Sequence, residues 1–480
     1  MKNKTNSGVG LFFSQLTGKL SALLLLGLVV ISIYVVTTYP LDFGSNQWSN
    51  PSIWADNPKA APPMWLDYLS SKKYSKHIVL TLDTPTETNN SNGTTTVVYQ
   101  TAFDYLYDDF PKFVSLSIDT LTYWDRPPMI KVILTRPDGL SITLLRHMAN
   151  GPTEGESQPY TRYVSQPFRV LINEDPSLIT ELSHFHRVQF DTEFSSRELN
   201  HLGVQALFGQ PTPAATSKFE LLNGTYLITT ETTMNNPKDS FGNVKAVFGG
   251  SLFGAMGTDS QGRDLAKGLL FGFPVALFIG ILASTLTTAI GAGLGIISGY
   301  QGGWIDTFIQ RTVDIVGNIP LLPILIFMVF IVGSNLPLII LLLVVFSWPG
   351  LTILIRTMVL QIRSGQLVEA SVALGSSRWR IMSRHIFPQT APYIIAQMVF
   401  FTPAAILAEA GLSFLGLGDP AIPTWGQILE QGFRTGAVYV GYWWWIIPPG
   451  VLIVITAMCF VLLALALEPV INPKIRGQKS

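Results

Sequence analysis

The stretch Gly365–Pro388, GQLVEASVALGSSRWRIMSRHIFP, is a polar, basic segment between two strongly apolar parts of the chain. Apolar and small residues recur at helical spacing in its first third, which predicts a short helix. Gly375 suits the left-handed position that ends a helix, and Ser376 or Ser377 can cap a second one. Pro388 stands where the next apolar helix begins, a position that tolerates its missing N–H. The segment therefore reads as two short helices joined by a turn.

The same stretch resembles the EAA loop of ABC importer permeases. In that family the pattern is Glu-Ala-Ala, three residues, Gly, and a terminal hydrophobic residue followed by Pro; here Ser371 replaces the second Ala and His385 stands where Ile is common. The resemblance implies that the loop couples the chain to an ATPase. The alternative is an ordinary basic cytoplasmic loop. The candidate coupling residues are Glu369, Ala370, Ser371, Gly375, Arg378 and Pro388.

The charge distribution divides the chain into two regions of different composition. Residues 41–256 carry 16 Lys and Arg against 22 Asp and Glu, and the totals of 31 and 31 leave 15 against 9 for the remainder. Hydrophobic residues make up 48% of the chain, which predicts a polytopic membrane protein with a sizeable soluble insert. The single Cys459 lies in an apolar segment and excludes a disulfide framework.

Six apolar segments predict six transmembrane helices in an all-α membrane core. The first follows a basic N-terminus and lacks a small-x-small cleavage site, so we read it as a retained helix and not as a signal peptide. The predicted helices cover residues 20–36, 274–298, 315–332, 337–359, 391–412 and 444–467. The domain plan is residues 1–40, an insert at 41–250, and a permease core at 251–480.

The insert reads as β-rich with one or two helices. Predicted strands cover residues 77–82, 94–101, 113–121, 130–135, 140–145 and 225–233, and predicted helices cover 176–190 and 195–208. The turn Thr135-Arg136-Pro137-Asp138-Gly139 predicts that its two flanking strands form a hairpin.

Positive charge predicts the orientation. The short loops assigned to the inside, including the basic loop and the C-terminal segment with Lys474 and Arg476, are rich in Lys and Arg, whereas the short outer segments hold Arg434 alone. Both termini are then cytoplasmic and residues 41–250 lie outside the cell membrane. Three glycosylation sequons, at Asn89, Asn92 and Asn223, agree weakly with an outside location.

A second resemblance covers the residues before the second predicted helix. The stretch resembles the GTDxxGRD signature of the C-type permease subunit of oligopeptide and dipeptide importers. A capped entry to a helix is the compatible structural interpretation. The matching residues are Gly257, Thr258, Asp259, Gly262, Arg263 and Asp264.

Glu409, near the outer end of the fifth helix, is the pathway candidate. Ionisable groups at membrane depth usually face a bundle interior or a water-filled cavity. A structural role, as partner of Arg434 or of backbone N–H groups, is equally open. Asp314 is expected to cap its helix or to pair with Arg311.

Other patterns receive structural interpretations. Glycines at 291, 293, 295 and 299 predict close packing of the second helix against a neighbouring helix or a sister subunit. His184, His186 and His201 do not complete a known metal pattern, and no catalytic constellation or Gly-rich nucleotide loop is found. We therefore expect no metal, no cofactor, no nucleic-acid partner and no enzymatic activity in this chain.

The family resemblance covers about half of the residues and implies a permease subunit for peptides or similar solutes. It implies a heterodimer with a sister permease, two cytoplasmic ATPases and an external solute-binding protein. A secondary transporter and a membrane-anchored surface receptor are the alternatives. No convincing inverted repeat supports the first, and five further helices exceed what the second needs.

Overall fold

The structure is a computed structural model that describes residues 8–91, 94–212 and 219–471. Lys2, Lys4, Asn92, Lys474, Arg476 and Lys479, used in the sequence argument, lie outside the described residues. The chain forms two compact units, a membrane unit of residues 1–51 and 265–480 and an insert unit of residues 52–264.

The first helices belong to the membrane unit. They are α1 (Gly8–Ser14) and α2 (Leu16–Thr38), followed by a π-helical turn at Phe43–Trp48. The short helix α3 (Pro51–Trp54) begins at the last residue of this stretch and belongs mostly to the insert unit. Because α2 is 23 residues long and its most apolar window has a mean hydropathy of 2.6, it can span a bilayer.

The insert is built from fourteen described strands and two helices. The strands are β1 (Ile78–Leu82), β2 (Glu87–Ser91), β3 (Thr94–Tyr105), β4 (Val114–Ile118), β5 (Leu121–Tyr123), β6 (Met129–Thr135), β7 (Ser141–Met148), β8 (Tyr160–Arg162), β9 (Phe168–Leu171), β10 (Gly209–Pro211), β11 (Phe219–Leu221), β12 (Gly224–Met234), β13 (Ser240–Phe241) and β14 (Val244–Phe248). Helices α4 (Pro176–Phe190) and α5 (Ser196–Phe208) lie between β9 and β10, and single 3-10 turns occupy Met64–Leu69 and Ile172–Glu174.

Two antiparallel sheets and the two helices enclose the core of the insert. One sheet has the strand order β1-β14-β4-β9 and the other β2-β3-β12-β6-β7; two small sheets, β10-β11 and β13-β5-β8, complete the unit. Side chains from both large sheets and from α4 and α5 form a single hydrophobic cluster. The expected β-rich insert with two helices is confirmed.

Inside the insert, the predictions of helix starts and of the hairpin are confirmed where a helix cap or a turn determines the local backbone. β6 and β7 pair in the predicted hairpin, with Thr135 opposite Ser141. Asp175 caps α4 by accepting a hydrogen bond from the backbone N–H of Ser177 at 2.8 Å. Ser195 starts α5 with a capping box. The predicted strand 113–121 divides into β4 and β5.

The remaining helices belong to the membrane unit. They are α6 (Leu265–Gln301), α7 (Gly303–Asn318), α8 (Leu321–Val332), α9 (Leu336–Arg363), α10 (Gln366–Ala373), α11 (Arg378–Ile381), α12 (Phe387–Phe414), α13 (Trp425–Arg434), α14 (Ala437–Val440) and α15 (Trp443–Ile471). Helix α11 runs into α12 through a π-helical turn at Met382–Ile386.

The described part of the chain contains five helices that are long and apolar enough to cross a membrane, or six if one bent pair counts as a span. The prediction of a single helix over 315–332 is wrong, because α7 and α8 meet at an angle of 78°. Ile319 is extended before Pro320, which disfavours helical backbone in its predecessor and has no N–H to continue the helix. The predicted helix start at Pro274 is also wrong, since Pro274 lies inside α6.

The boundary of the insert differs from the predicted 41–250. The hydroxyl of Thr258 donates to the carbonyl of Pro58 at 2.6 Å and accepts from the N–H of Ala61 at 2.9 Å. The N–H of Ala60 donates to the carbonyl of Asp259 at 2.7 Å. These bonds join the two ends of the insert, so residues 251–264 belong to it and not to the permease core.

Three of the four glycines in the second half of α6 form its contact with α9. A Cβ atom on Gly291, Gly295 or Gly299 would come within 2.8–3.0 Å of atoms of α9, whereas one on Gly293 would meet nothing within 4 Å. Close backbone approach through small residues is how helices pack in lipid. The sequence predicted that these glycines pack against a neighbouring helix or a sister subunit. Three of them contact the neighbouring helix α9.

Candidate functional site

The first part of the predicted coupling segment, Gly365–Pro388, forms helix α10. The helix ends in a turn at Gly375, as expected. Gly375 has a φ of +77°, the left-handed region. Its N–H donates to the carbonyl of Val372 at 2.9 Å, and the N–H of Ser376 donates to the carbonyl of Ser371 at 3.0 Å. This pair of bonds is the Schellman arrangement, which satisfies the last carbonyls of a helix and needs a residue that tolerates positive φ.

The second half of the segment starts at a capped turn. The hydroxyl of Ser377 accepts a hydrogen bond from the N–H of Arg380 at 3.4 Å and begins α11. Pro388 is the second residue of α12 and directly follows the π-helical turn at Met382–Ile386. The break at Gly375 is as predicted, but the second short helix is not separate, because α11 leads into α12 without a loop.

One side of this segment packs on the membrane unit. Val368, Ile381 and Ile386 are buried in a cluster with residues of α6 and α9 such as Ile355. Ser371 is buried as well, and its hydroxyl donates to the carbonyl of Leu367 at 2.7 Å. The Ser371 side chain is therefore turned inward and bonded to its own helix, and its coupling role stays a prediction.

The other side of the segment is exposed and combines charge with large apolar side chains. Glu369 and Ala370 are exposed on α10, and Arg378 is exposed on α11. Leu374 has 87% and Trp379 73% of its surface exposed. Large exposed apolar residues beside charged ones are typical of protein interaction sites.

An ion pair that sequence reasoning missed joins three helices near this segment. The guanidinium of Arg356 on α9 donates two hydrogen bonds, each 2.6 Å long, to the carboxylate of Asp306 on α7. Ser298 of α6 donates to the same carboxylate and accepts from Gln310 of α7. Bidentate pairs of this kind fix orientation as well as distance. The sequence contained a signal, an acidic residue in the first turn of an amphipathic helix, but no spacing rule related it to Arg356.

Glu409 is buried near the end of α12 and bonds to a side chain of its own helix. Its carboxylate accepts a hydrogen bond from the hydroxyl of Ser413 at 2.6 Å. Arg434, the partner considered from the sequence, instead donates to Glu430 at 2.8 Å. Asp314 pairs with Arg311 at 3.3 Å, as expected.

The GTDxxGRD residues form a tight turn within the insert. The carboxylate of Asp259 accepts hydrogen bonds from the N–H groups of Gln261 at 2.8 Å and Arg263 at 2.9 Å, and it forms an ion pair with the Arg263 side chain. Gly257 and Gly262 both have positive φ, and Thr258 forms a β-bridge with Asp264. The geometry assigns the signature a structural task, since its polar groups bond to the chain itself.

The histidines do not form a metal site. His186 is buried and its Nε2 lies 3.0 Å from the carbonyl oxygen of Ala206, while His184 is exposed beside Arg187. Among the described residues no group of three His, Cys, Asp or Glu side chains is arranged to hold a metal ion.

Comparison with known proteins defines the class of this membrane unit. Residues 291–477 match the family model "Binding-protein-dependent transport system inner membrane component". The dipeptide transport system permease protein DppC of Bacillus subtilis (strain 168) is 36% identical over 46% of this chain and 68% of its own length. The oligopeptide transport system permease protein OppC of the same organism is 33% identical over 46% of this chain and 72% of its own length.

A solved structure of the MetNI methionine ABC transporter in an inward-facing conformation is 22% identical over 43% of this chain and 96% of that chain, with a TM-score of 0.36. The assignment rests on the family model and on the relatives above. The chain belongs to the family of binding-protein-dependent transport inner membrane components and is a C-type permease subunit of an ABC importer. It is a multi-pass membrane protein.

Proposed function

We propose that this subunit forms part of the translocation pathway for peptides or similar small solutes. Its relatives include dipeptide, oligopeptide and glutathione transport permeases, which supports this substrate class. We further propose that it pairs with a sister permease, that two cytoplasmic ATPases supply the energy, and that an external solute-binding protein delivers the solute. ATP hydrolysis then belongs to the partner subunits.

The observation that carries the coupling proposal is the two-sided form of α10 and α11. Their inner side packs on α6 and α9, whereas their outer side presents Glu369, Leu374 and Trp379 to solvent. A partner that pushes on the outer side would therefore move α9 and α12 directly. The rearrangement is a two-state change that nucleotide and the loaded binding protein both bias.

The test of the coupling proposal compares three variants. Gly375→Val places a β-branched residue at positive φ, at a cost of ~1 kcal/mol or more, and should distort the turn that orients the outer side of α10. Glu369→Lys reverses a charge on that side. Both should lower co-purification of the ATPases and solute uptake in vesicles.

Gly333→Val is the matched control. Gly333 has a φ of +88° and open space around its Cβ position, as Gly375 does, but it precedes α9 at the opposite end of that helix. Val at position 333 is at least as strained, because its φ of 88° and ψ of 161° lie in a region open essentially to glycine alone, yet ATPase attachment should remain. Normal attachment and uptake in both loop variants would refute the coupling assignment.

The second part of the proposal concerns the orientation in the membrane. We propose that both termini lie in the cytoplasm and that the insert lies outside the cell membrane. In a Cys459→Ala background, Val164→Cys in the insert should react with a membrane-impermeant maleimide on intact cells. Arg311→Cys should react only after lysis. Both side chains are exposed, so accessibility depends on the side of the membrane alone. The reverse labelling pattern would overturn the orientation.

We also propose that the insert serves as a docking or gating module at the pathway mouth. Its support is its size and its chain connections to α2 and α6, the first two long membrane helices. Adding the solute-binding protein should slow hydrogen exchange in insert peptides of the intact transporter. Unchanged exchange under saturating binding protein would remove the docking role and leave the permease assignment intact.

A further inference from the structure

The 3-10 turn Met64–Leu69 of the insert exposes a set of large apolar side chains, which we call the apolar patch. Tyr68 has 90% and Leu69 76% of its surface exposed, and Met64 and Trp65 are exposed as well. A contiguous exposed apolar surface marks an interaction site. Trp and Tyr are enriched where a protein meets the membrane–water interface, and here they stand beside aliphatic residues.

The one acidic residue of this turn does not interrupt the apolar patch. The Asp67 carboxylate accepts a hydrogen bond from the N–H of Tyr74 at 3.2 Å and is half-buried. The turn therefore presents apolar side chains and keeps its charge on the protein. Hydration of these side chains costs free energy, which a cover of apolar material would remove.

The chain keeps the apolar patch near its own entry into a membrane helix. The indole N–H of Trp65 donates to the carbonyl of Ala255 at 3.0 Å. Three residues further, Thr258 forms a β-bridge with Asp264, the residue before α6 begins. Bridged residues lie about 5 Å apart and three residues span at most about 11 Å, so the chain path from Trp65 to α6 is on the order of 20 Å.

Helix α6 is long enough to bring its first residue to the surface of the bilayer. It has 37 residues, which rise about 55 Å, compared with about 40–45 Å for a bilayer with its headgroups. Its start is apolar apart from Lys267, a residue suited to the interface. The short path from the apolar patch thus leads to a helix that is long enough to pass through both headgroup layers.

Basic side chains follow the apolar patch directly. Lys72, Lys73 and Lys76 are exposed, and Lys72 also lies 3.5 Å from Asp109. Basic residues beside an apolar face are the combination that binds anionic lipid surfaces.

From these observations we propose that the apolar patch is a membrane-surface anchor of the insert, seated among lipid headgroups and upper acyl chains. The proposal needs only that the chain spans a membrane, so it stands or falls independently of the substrate and of the orientation. The occupant is lipid and not a protein partner, because the composition, the short path to α6 and the neighbouring lysines all fit a bilayer surface.

The test uses the full chain in vesicles of phosphatidylcholine and phosphatidylglycerol. In a Cys459→Ala background, Tyr68→Cys and Leu69→Cys carry an environment-sensitive maleimide fluorophore, and Val188→Cys on α4 is the matched exposed control. We expect blue-shifted emission at positions 68 and 69, quenched several-fold more strongly by brominated acyl chains than at position 188. A weaker effect in phosphatidylcholine alone would assign part of the binding to the lysines.

Two results would overturn the proposal. Water-like emission at 68 and 69, equal to that at 188, would show that the apolar patch is hydrated. Blue-shifted emission that brominated lipid does not quench, or that appears only on addition of the solute-binding protein, would show a protein occupant. Cysteine at these exposed positions leaves the core untouched, so a folding failure does not obscure either result.

Discussion

In the insert, Phe208 meets the rings of Tyr105, Tyr226 and Phe248 at centroid separations of 4.9–5.8 Å. In the membrane unit, α6 approaches α9 closely at Gly291, Gly295 and Gly299, where atoms of α9 lie against the α6 backbone. Each contact holds its own unit together. In the insert, large aromatic rings fill the space between the elements. In the membrane unit, glycines without side chains let two helix backbones approach each other.

This difference follows from the solvent that each unit displaces. Burying an aromatic ring from water is strongly favourable, so a water-facing unit gains most from large side chains in its core. Lipid tails are as apolar as the helices themselves, so α6 and α9 gain little from burial and depend on close fit and polar contacts. Thr352 illustrates the second kind, since its hydroxyl donates to the carbonyl of Gly291 at 3.1 Å. Loss of volume should therefore damage the insert, and gain of volume should damage the membrane unit.

The largest expected effect is that of Phe208→Ala. Deleting a fully buried aromatic side chain costs about 3–5 kcal/mol in unfolding free energy. Hydrogen exchange of insert peptides in the full chain should accelerate accordingly, while peptides of α6 and α9 keep their protection. The exposed Val188→Ala should stay within about 0.5 kcal/mol of the parent. Equal acceleration in the membrane helices would show that the two units do not unfold separately.

The next effect is that of Gly295→Val, compared with Gly293→Val. Both place the same residue in the same helix, so the propensity cost cancels. A Cβ at 295 would lie 2.8 Å from atoms of Ile355, whereas at 293 it meets nothing within 4 Å. Overpacking of this kind costs about 1–3 kcal/mol. Gly295→Val should lower the midpoint of thermal unfolding of the purified protein, and equal midpoints for both variants would contradict the close-packing interpretation.

Sequence reasoning succeeded where a few neighbouring residues fix the backbone. Asp175 and Ser195 mark the starts of α4 and α5 through their own side chains. The Pro-Asp-Gly turn sets the β6–β7 hairpin, and Gly375 ends α10 because its φ must be positive. In each case the determining contact spans only a few positions of the chain.

Sequence reasoning failed where the determining contact joins residues that are distant in the sequence. It also failed where a bend lies inside an apolar run, because hydropathy does not reveal a bend. β1 pairs with β14, with Ile78 opposite Phe248, so neither strand contains a signal for the other. The bend between α7 and α8 lies inside one continuous apolar run, and only the torsion preference before Pro320 separates them. Asp306 and Arg356 are fifty residues apart, and their bidentate contact depends on the packing of α7 against α9.

The smallest expected effect concerns His186 in the insert core. Burial is the main cause that lowers the pKa of His186 to about 4; the Ala206 carbonyl opposes the shift and the charge of Arg136 adds to it. The unfolded chain has a His pKa near 6.5 and binds a proton that the folded chain excludes. Stability is therefore full above the unfolded pKa and falls as the pH drops from 6.5 towards 4. Between pH 7.5 and 5.5 the loss from this residue is about 1 kcal/mol.

The measurement is the pH dependence of hydrogen exchange protection in α4 and α5, corrected for intrinsic exchange rates. His186→Phe removes the titrating group, so its protection should fall less steeply with acid, whatever its absolute stability. Burial also lowers the pKa of His77 and His147, so a residual slope of the same sign should remain. The exposed His184→Phe should keep the parental slope. An unchanged slope in His186→Phe would show that this buried ring is not what makes the insert acid-sensitive, and the membrane unit should show no such dependence in α6 or α9, where no histidine lies.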